Sequence, residues 1–202
     1  MRVSKRVQCK QFPCADVRHA AYNVPGLDVK PERISIVLVS EAAPADPNDY
    51  YYARGSPLFA QTTVQAFNDA GVNVSSIKEI LALGVYLTTA VKCGKTGYGV
   101  QTSPIQECSR LLEQELALFP NVRAFLLMGD VAIKALNAIA ARAGEPRAIP
   151  AGSTYKIRGR KYFFRGARAF PSYLQAGPSF FIEKGKRKMI AEDIASTIRL
   201  IT

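Results

Sequence analysis

Apolar positions along this chain follow two rhythms. Ile34 to Val39 (Ile-Ser-Ile-Val-Leu-Val), Leu83 to Val91 and Val122 to Met128 are short, nearly continuous apolar runs. Such runs predict parallel strands covered on both faces, because a strand with no wet side has no need of alternation. Between them the pattern turns helical. Phe59 to Ala70 predicts a helix that stops at Gly71. Ser103-Pro104 opens another: serine caps it, proline takes the first turn and Glu107 follows, and Leu111, Leu112, Glu115, Leu116 and Leu118 continue it amphipathically. Gly129-Asp130 starts a third helix through Ala143, ended by Gly144, and a last helix is expected from about Lys186 to Leu200. Residues 145–165 are expected to include a hairpin or an extended excursion. Tyr155 to Phe164 and Ala167 to Phe170 follow as further segments, before a Pro-Ser turn. Strands alternating with helices predict the α/β class: a three-layer α/β/α sandwich around a short, mainly parallel sheet.

The chain has 202 residues, 48% of them hydrophobic, which suits one domain over 1–202 with a sizeable core. No apolar stretch is long enough to span a bilayer, so a soluble protein with no membrane-embedded part is expected. The net charge of +11 points to a polyanion, nucleic acid first and an anionic membrane surface second. The single histidine, His19, lies outside every motif and argues against a Ser-His-Asp or His-rich metal mechanism. The glycines after Cys93 lack the Gly-Lys-Ser/Thr ending of a phosphate-binding P-loop.

Residues 1–33 form a basic, irregular segment with Pro13, Pro25 and Pro31, and carry Cys9 and Cys14; Cys93 and Cys108 make a second pair. Four thiolates can hold an iron–sulfur cluster or a zinc ion, stapling the N-terminus to the middle of the chain. Two disulfides or four unrelated buried thiols are the alternatives. No leader-like stretch precedes Cys9, so the expected setting is a reducing, cytoplasmic one.

Five segments in order resemble those of the iron–sulfur branch of the uracil-DNA glycosylase superfamily. They are the N-terminal cysteine pair before the Ile34–Val39 strand; Ser40-Glu41-Ala42-Ala43-Pro44, similar to a water-activating loop; Leu87-Thr88-Thr89-Ala90-Val91-Lys92-Cys93, followed by Cys108; Leu126-Leu127-Met128-Gly129-Asp130; and Phe170-Pro171-Ser172-Tyr173-Leu174 in place of a His-Pro-Ser loop. The resemblance implies a monomeric DNA glycosylase of base excision repair. It would hydrolyse the N-glycosidic bond of a deaminated base flipped out of damaged DNA, leaving an abasic site. It also implies a structural 4Fe-4S cluster on Cys9, Cys14, Cys93 and Cys108, with zinc the lesser alternative.

By the same resemblance Glu41, with Asn48 or Asp49, would place the attacking water. Ala42, Phe59, Thr89 and Phe170 would line the base pocket, with Phe59 stacking on the base and Tyr50, Tyr51 and Tyr52 as other platforms. Leu174 would wedge the duplex, Ser172 and its loop would meet phosphate, and Arg168 and Lys186 belong to two basic clusters flanking the wedge. Two departures change the expected chemistry. Thr89 stands where an asparagine would read the uracil edge, and Phe170 replaces a histidine that would donate to the departing base. Weak action on uracil, or action on hypoxanthine or xanthine, follows. A nucleic-acid-binding protein that keeps the fold without catalysis is the second reading, and a zinc-stapled hydrolase of small nucleosides the third.

Overall fold

The computed structural model describes residues 1–97 and 99–201. Its strands are β1 (Val17–Arg18), β2 (Ile36–Ala43), β3 (Val85–Lys95), β4 (Ala124–Met128), β5 (Tyr162–Phe164) and β6 (Ala167–Ser172). They form one sheet in the order β1-β3-β2-β4-β6-β5. The inner pairs β3–β2, β2–β4 and β4–β6 are parallel, whereas β1 and β5 close the edges antiparallel.

Helices cover both faces. On one side α3 (Thr102–Leu116) and α4 (Asp130–Arg142) pack on Val37, Val39, Tyr86, Ala90, Phe125 and Leu127. On the other, α1 (Leu58–Asp69), α2 (Ile77–Ala82) and α7 (Lys184–Ile198) pack on Ile36, Leu38, Val85, Leu87, Leu126 and Met128. Successive side chains of each strand feed opposite cores, which is why the strands read as unbroken apolar runs. The α/β/α sandwich is thus present. Two one-turn helices, α5 (Thr154–Ile157) and α6 (Ser179–Ile182), complete the described α-helices, and no described helix is long and apolar enough to cross a membrane.

Both central strands run past their apolar stretches. β2 continues through Ser40, Glu41, Ala42 and Ala43, because β3 keeps pairing with it there. β3 continues to Lys95, because β1 pairs with its tail, Val17 opposite Lys95 and Arg18 opposite Gly94. The β2–β3 register jumps from Ala42–Val91 to Ala43–Gly94, leaving Lys92 and Cys93 without counterparts on β2. Such a bulge bends and re-aims a strand end beside a site.

The sequence pattern missed α2, although Ser76 caps it by accepting from the Glu79 amide, while the Glu79 carboxylate accepts from the Ser75 amide and hydroxyl. Pro171 and Ser172, expected in a turn, close strand β6 opposite Leu127 and Met128. The excursion at 145–165 holds α5 and the first strand of a tight hairpin, whose corner, Arg165-Gly166, has positive φ at both residues.

Lys92 is fully buried. Its ammonium pairs with Glu115 of α3 and donates to Thr88 Oγ1 at 2.8 Å and to the Thr89 carbonyl at 2.5 Å. Tyr86 and Thr88 donate to Glu115 Oε1 at 2.6 and 2.9 Å. The pair survives burial because hydrogen bonds surround it; an uncompensated partner would cost about 3–5 kcal/mol. It locks α3, which carries Cys108, to the strand that carries Cys93.

Candidate active site

The C-terminal ends of the neighbours β2 and β4 lie where chain connections leave in opposite directions, from β2 towards β3 and from β4 towards β6; in open α/β sheets such a crevice is the usual ligand site. A hollow of about 460 Å³ opens there. Glu41, Ala42 and Pro44 of β2 and its loop, Phe59 of α1, Lys95 and Thr96 from the end of β3, and Leu174 and Ala176 after β6 line it. Four separate parts of the chain therefore converge on one space.

Glu41 is half-buried, and its carboxylate lies against Gly129 at the start of α4, where the backbone N–H groups of Asp130 and Val131, the first two residues of that helix, favour its charged form. A helix N-terminus supplies unpaired donors and positive dipole, so it holds a carboxylate in place. Gly129 makes the approach possible: with φ +101° and no Cβ it lets Glu41 lie where a Cβ would stand 2.5 Å from Oε1. Burial dominates the electrostatics and raises the Glu41 pKa. The charge of Lys95 and the two backbone donors oppose that rise, and Asp130 adds to it.

A buried polar network fixes the opposite wall. Ser40 and Tyr51 share a short hydrogen bond, and Gln175 Nε2 donates to Tyr51 Oη at 2.9 Å and to Thr63 Oγ1 at 3.2 Å. β2, the tyrosine segment, α1 and the Leu174–Ala176 loop are thereby joined. No pattern along the chain pointed to Gln175, which is polar, isolated and outside every motif.

The remaining expected site residues fall elsewhere. Asp49 Oδ1 accepts from the amides of Leu58 and Phe59, capping α1, so it sets where Phe59 sits. Asn48 is exposed in the turn capped by Asp46. Tyr50 and Tyr51 are buried, and the Tyr52 hydroxyl bonds the Leu87 backbone, so the three tyrosines are packed rather than free as platforms. Thr89 is fully buried and does not line the hollow; its hydroxyl and that of Tyr50 face each other without a hydrogen bond. Phe170 is half-buried on β6, under the Arg168 guanidinium at 4.7 Å. Arg168 is held between that ring and Phe163. Ser172, expected in a loop that meets phosphate, is instead fully buried in β6 and donates to Asp193 at 2.6 Å, which ties β6 to α7. Lys186 pairs with Glu183 and stands over Tyr173. Of the other basic residues, Arg158, Arg165 and Arg187 are consumed by ion pairs, whereas Arg160, Lys161, Lys184 and Lys188 are exposed and form none among the described residues.

Cys9, Cys14, Cys93 and Cys108 are free thiols lining one cavity of about 640 Å³, with Lys5, Arg6, Lys10, Arg110 and His19 on its walls. No three His, Cys, Asp or Glu side chains among the described residues are gathered tightly enough for a single ion. Burial pushes the Cys14 thiol up to about 11 and Cys93 to about 12, and the neighbouring cysteines add to each rise. Phe12, at positive φ, turns the Cys9–Cys14 loop and packs on His19 and Tyr22, whose hydroxyl accepts from the Cys9 amide at 2.9 Å. Beyond the loop the segment braces the hollow. Thr96 Oγ1 donates to the Asp16 carbonyl at 2.9 Å, and Arg18 donates to the Ala45 carbonyl at 3.2 Å. Gly94 permits the crossing, since a Cβ there would lie 2.6 Å from Ala21 Cβ and 3.0 Å from the Pro44 carbonyl.

No protein-family model matches the chain. Over 55 residues it is 40% identical to the type-5 uracil-DNA glycosylase of Thermus thermophilus, a stretch that covers 27% of this chain and 25% of that protein. The matched stretch thus spans about a quarter of the length of that relative.

Because folding buries the Glu41 carboxylate and raises its pKa, the ionised form opposes folding, and this cost grows as pH rises from the ordinary carboxylate value through the raised one. Glu41→Gln is therefore expected to raise the midpoint of thermal unfolding at pH 7 and to have little effect near pH 4. A loss of stability at pH 7 would contradict the placement of this charge.

Proposed function

We propose that the protein is a DNA glycosylase that removes a deaminated base, uracil or one of the purines hypoxanthine and xanthine, by hydrolysing its N-glycosidic bond in base excision repair. The observation that carries this reading is the carboxylate of Glu41, fixed at the start of α4 inside a hollow whose rim includes Phe59 and Leu174. The partial likeness to a uracil-DNA glycosylase supports it. A base inside a duplex is out of reach, so the nucleotide rotates into the hollow. Phe59, its ring 5.4 Å from Tyr51, offers a face on which the base stacks, and Leu174 fills the gap left in the duplex. The exposed cations Arg160, Lys161, Lys184 and Lys188 are available to phosphate.

The C1′–N bond breaks with its electron pair leaving on the base, so positive charge gathers on the sugar. Glu41 is the group that stabilises this charge and orients the water. The water oxygen bonds to C1′ and its proton passes to the carboxylate. Asp49 acts on the reaction only through the α1 terminus that presents Phe59.

A second reading, binding without catalysis, is favoured by Thr89 being buried away from the hollow and by the lack of a donor at Phe170. Oligonucleotides carrying uracil, hypoxanthine or xanthine separate the two. Base release is expected from at least one, with Glu41→Gln about 100-fold slower or worse. Salt-sensitive binding without release of any base would leave the second reading standing.

For the cysteine cavity we propose a 4Fe-4S cluster held by Cys9, Cys14, Cys93 and Cys108. Four free thiols lining one space are the number and kind of ligand that such a cluster takes. The cationic walls offset the charge of the bound thiolates. Such a group would supply cross-linking rather than electron transfer, since glycosidic hydrolysis moves no electrons. Anaerobically purified protein should be brown and contain iron and acid-labile sulfide in equal amounts, and Cys93→Ser should abolish both. Zinc in place of iron would refute the assignment.

A further inference from the structure

A departing base takes the bonding pair with it and becomes an anion, so a glycosylase site needs a positive counterpart to the carboxylate that faces the sugar. Phe170, where a donor was expected, cannot fill that role; it lies outside the lining of the hollow, packed under Arg168. Arg168 is itself held between two aromatic rings, and Lys186 is paired with Glu183. Among the described residues that line the hollow, Lys95 is the one cation.

We propose that Lys95 stabilises the negative charge developing on the leaving base, in place of the missing donor. This rests on the glycosylase reading above. Lys95 and Glu41 share the hollow, and the charge of one is felt by the other, yet they form no ion pair. Lys95 has no ion-pair partner among the described residues. The space between the two charges is where a glycosidic bond would polarise, sugar towards the carboxylate and base towards the ammonium. Free to pair directly, the two side chains would quench each other. What holds them apart is the backbone: Lys95 ends β3 opposite Val17, with Thr96 bonded to Asp16, while Glu41 is tied to α4. Because its own position comes from strand pairing, replacing the Lys95 side chain should leave the fold intact.

The step balances without another reactant. The C1′–N pair moves onto the base, the ammonium donates a hydrogen bond to a base oxygen or nitrogen, water adds to C1′ and gives its proton to Glu41, and the base is later protonated by solvent.

Two other roles for a lysine here make different predictions. A phosphate anchor would act on binding. An amine nucleophile would attack C1′ and leave a borohydride-reducible imine with the DNA. The test is steady-state and single-turnover kinetics of Lys95→Met and Lys95→Arg, with thermal unfolding as the folding control, on whichever deaminated base the wild-type protein releases. Lys95→Met should lower kcat by about 100-fold with KM little changed, and Lys95→Arg, which keeps the charge, should retain most of the rate. Where that base is uracil, 5-fluorouracil leaves as a more stable anion and should suffer a smaller loss in Lys95→Met. A loss confined to KM, an equal loss on both bases, or covalent trapping of the wild-type protein by borohydride would overturn the assignment and leave the glycosylase reading intact. A wild-type protein that releases no base would end both.

Discussion

Two residue pairs, Val17 with Lys95 and Arg18 with Gly94, decide whether this molecule has a working hollow. Without them β3 would end at its apolar stretch, as the sequence pattern suggests, and its last residues would be a glycine-rich loop. With them the strand projects beyond the sheet and carries Lys95 to the wall facing Glu41. The strap that provides the pairing is short, and two strand residues cannot hold themselves in water. Its hold comes from both sides: the cysteine loop closed by Phe12, His19 and Tyr22 before it, and the tight crossing over Gly94 after it. The buried Lys92–Glu115 pair does the same from within, joining Cys93 and Cys108 across β3 and α3.

Electrostatically the site is a compromise between holding charge and hiding it. Glu41 is buried enough to feel its charge as a cost, and this cost is moderated by two backbone donors and a lysine. The same burial strengthens the interaction of this carboxylate with any cation that enters the hollow. Gly129 is where this arrangement is most sensitive, since any side chain there would evict the carboxylate.

Much of the fold was legible in the sequence. Continuous apolar runs in β2, β3 and β4 announce strands with two dry faces, and Gly71 and Gly144 mark helix ends at positive φ. Glu41, Phe59 and Leu174, each picked out by a sequence motif, line one hollow, and the four cysteines line one cavity. Other features depend on tertiary pairing that no local pattern encodes. The length of β3 follows from a partner some 75 residues earlier in the chain, which the glycine-containing stretch after Cys93 does not announce. Ser172 looked accessible because its sequence neighbours resemble a loop, yet parallel pairing with Met128 and the carboxylate of Asp193 take it into the core. One long-range pairing did leave a trace: Glu115 sits among the leucines of an otherwise apolar helix face, and Lys92 ends an apolar run, so each polar residue calls for a buried partner.

If the N-terminal segment is what braces the hollow, loosening its cysteines should be felt first at the end of β3 and hardly at all in the centre of the sheet. Amide hydrogen exchange on the intact protein and on a Cys9→Ser/Cys14→Ser variant measures this directly. Faster exchange at Arg18, Gly94, Lys95 and Thr96, with Val37 to Val39 and Leu126 to Met128 still protected, is the predicted result. Unchanged protection at Gly94 and Lys95 would contradict it, because the wall that carries Lys95 would then stand without the strap.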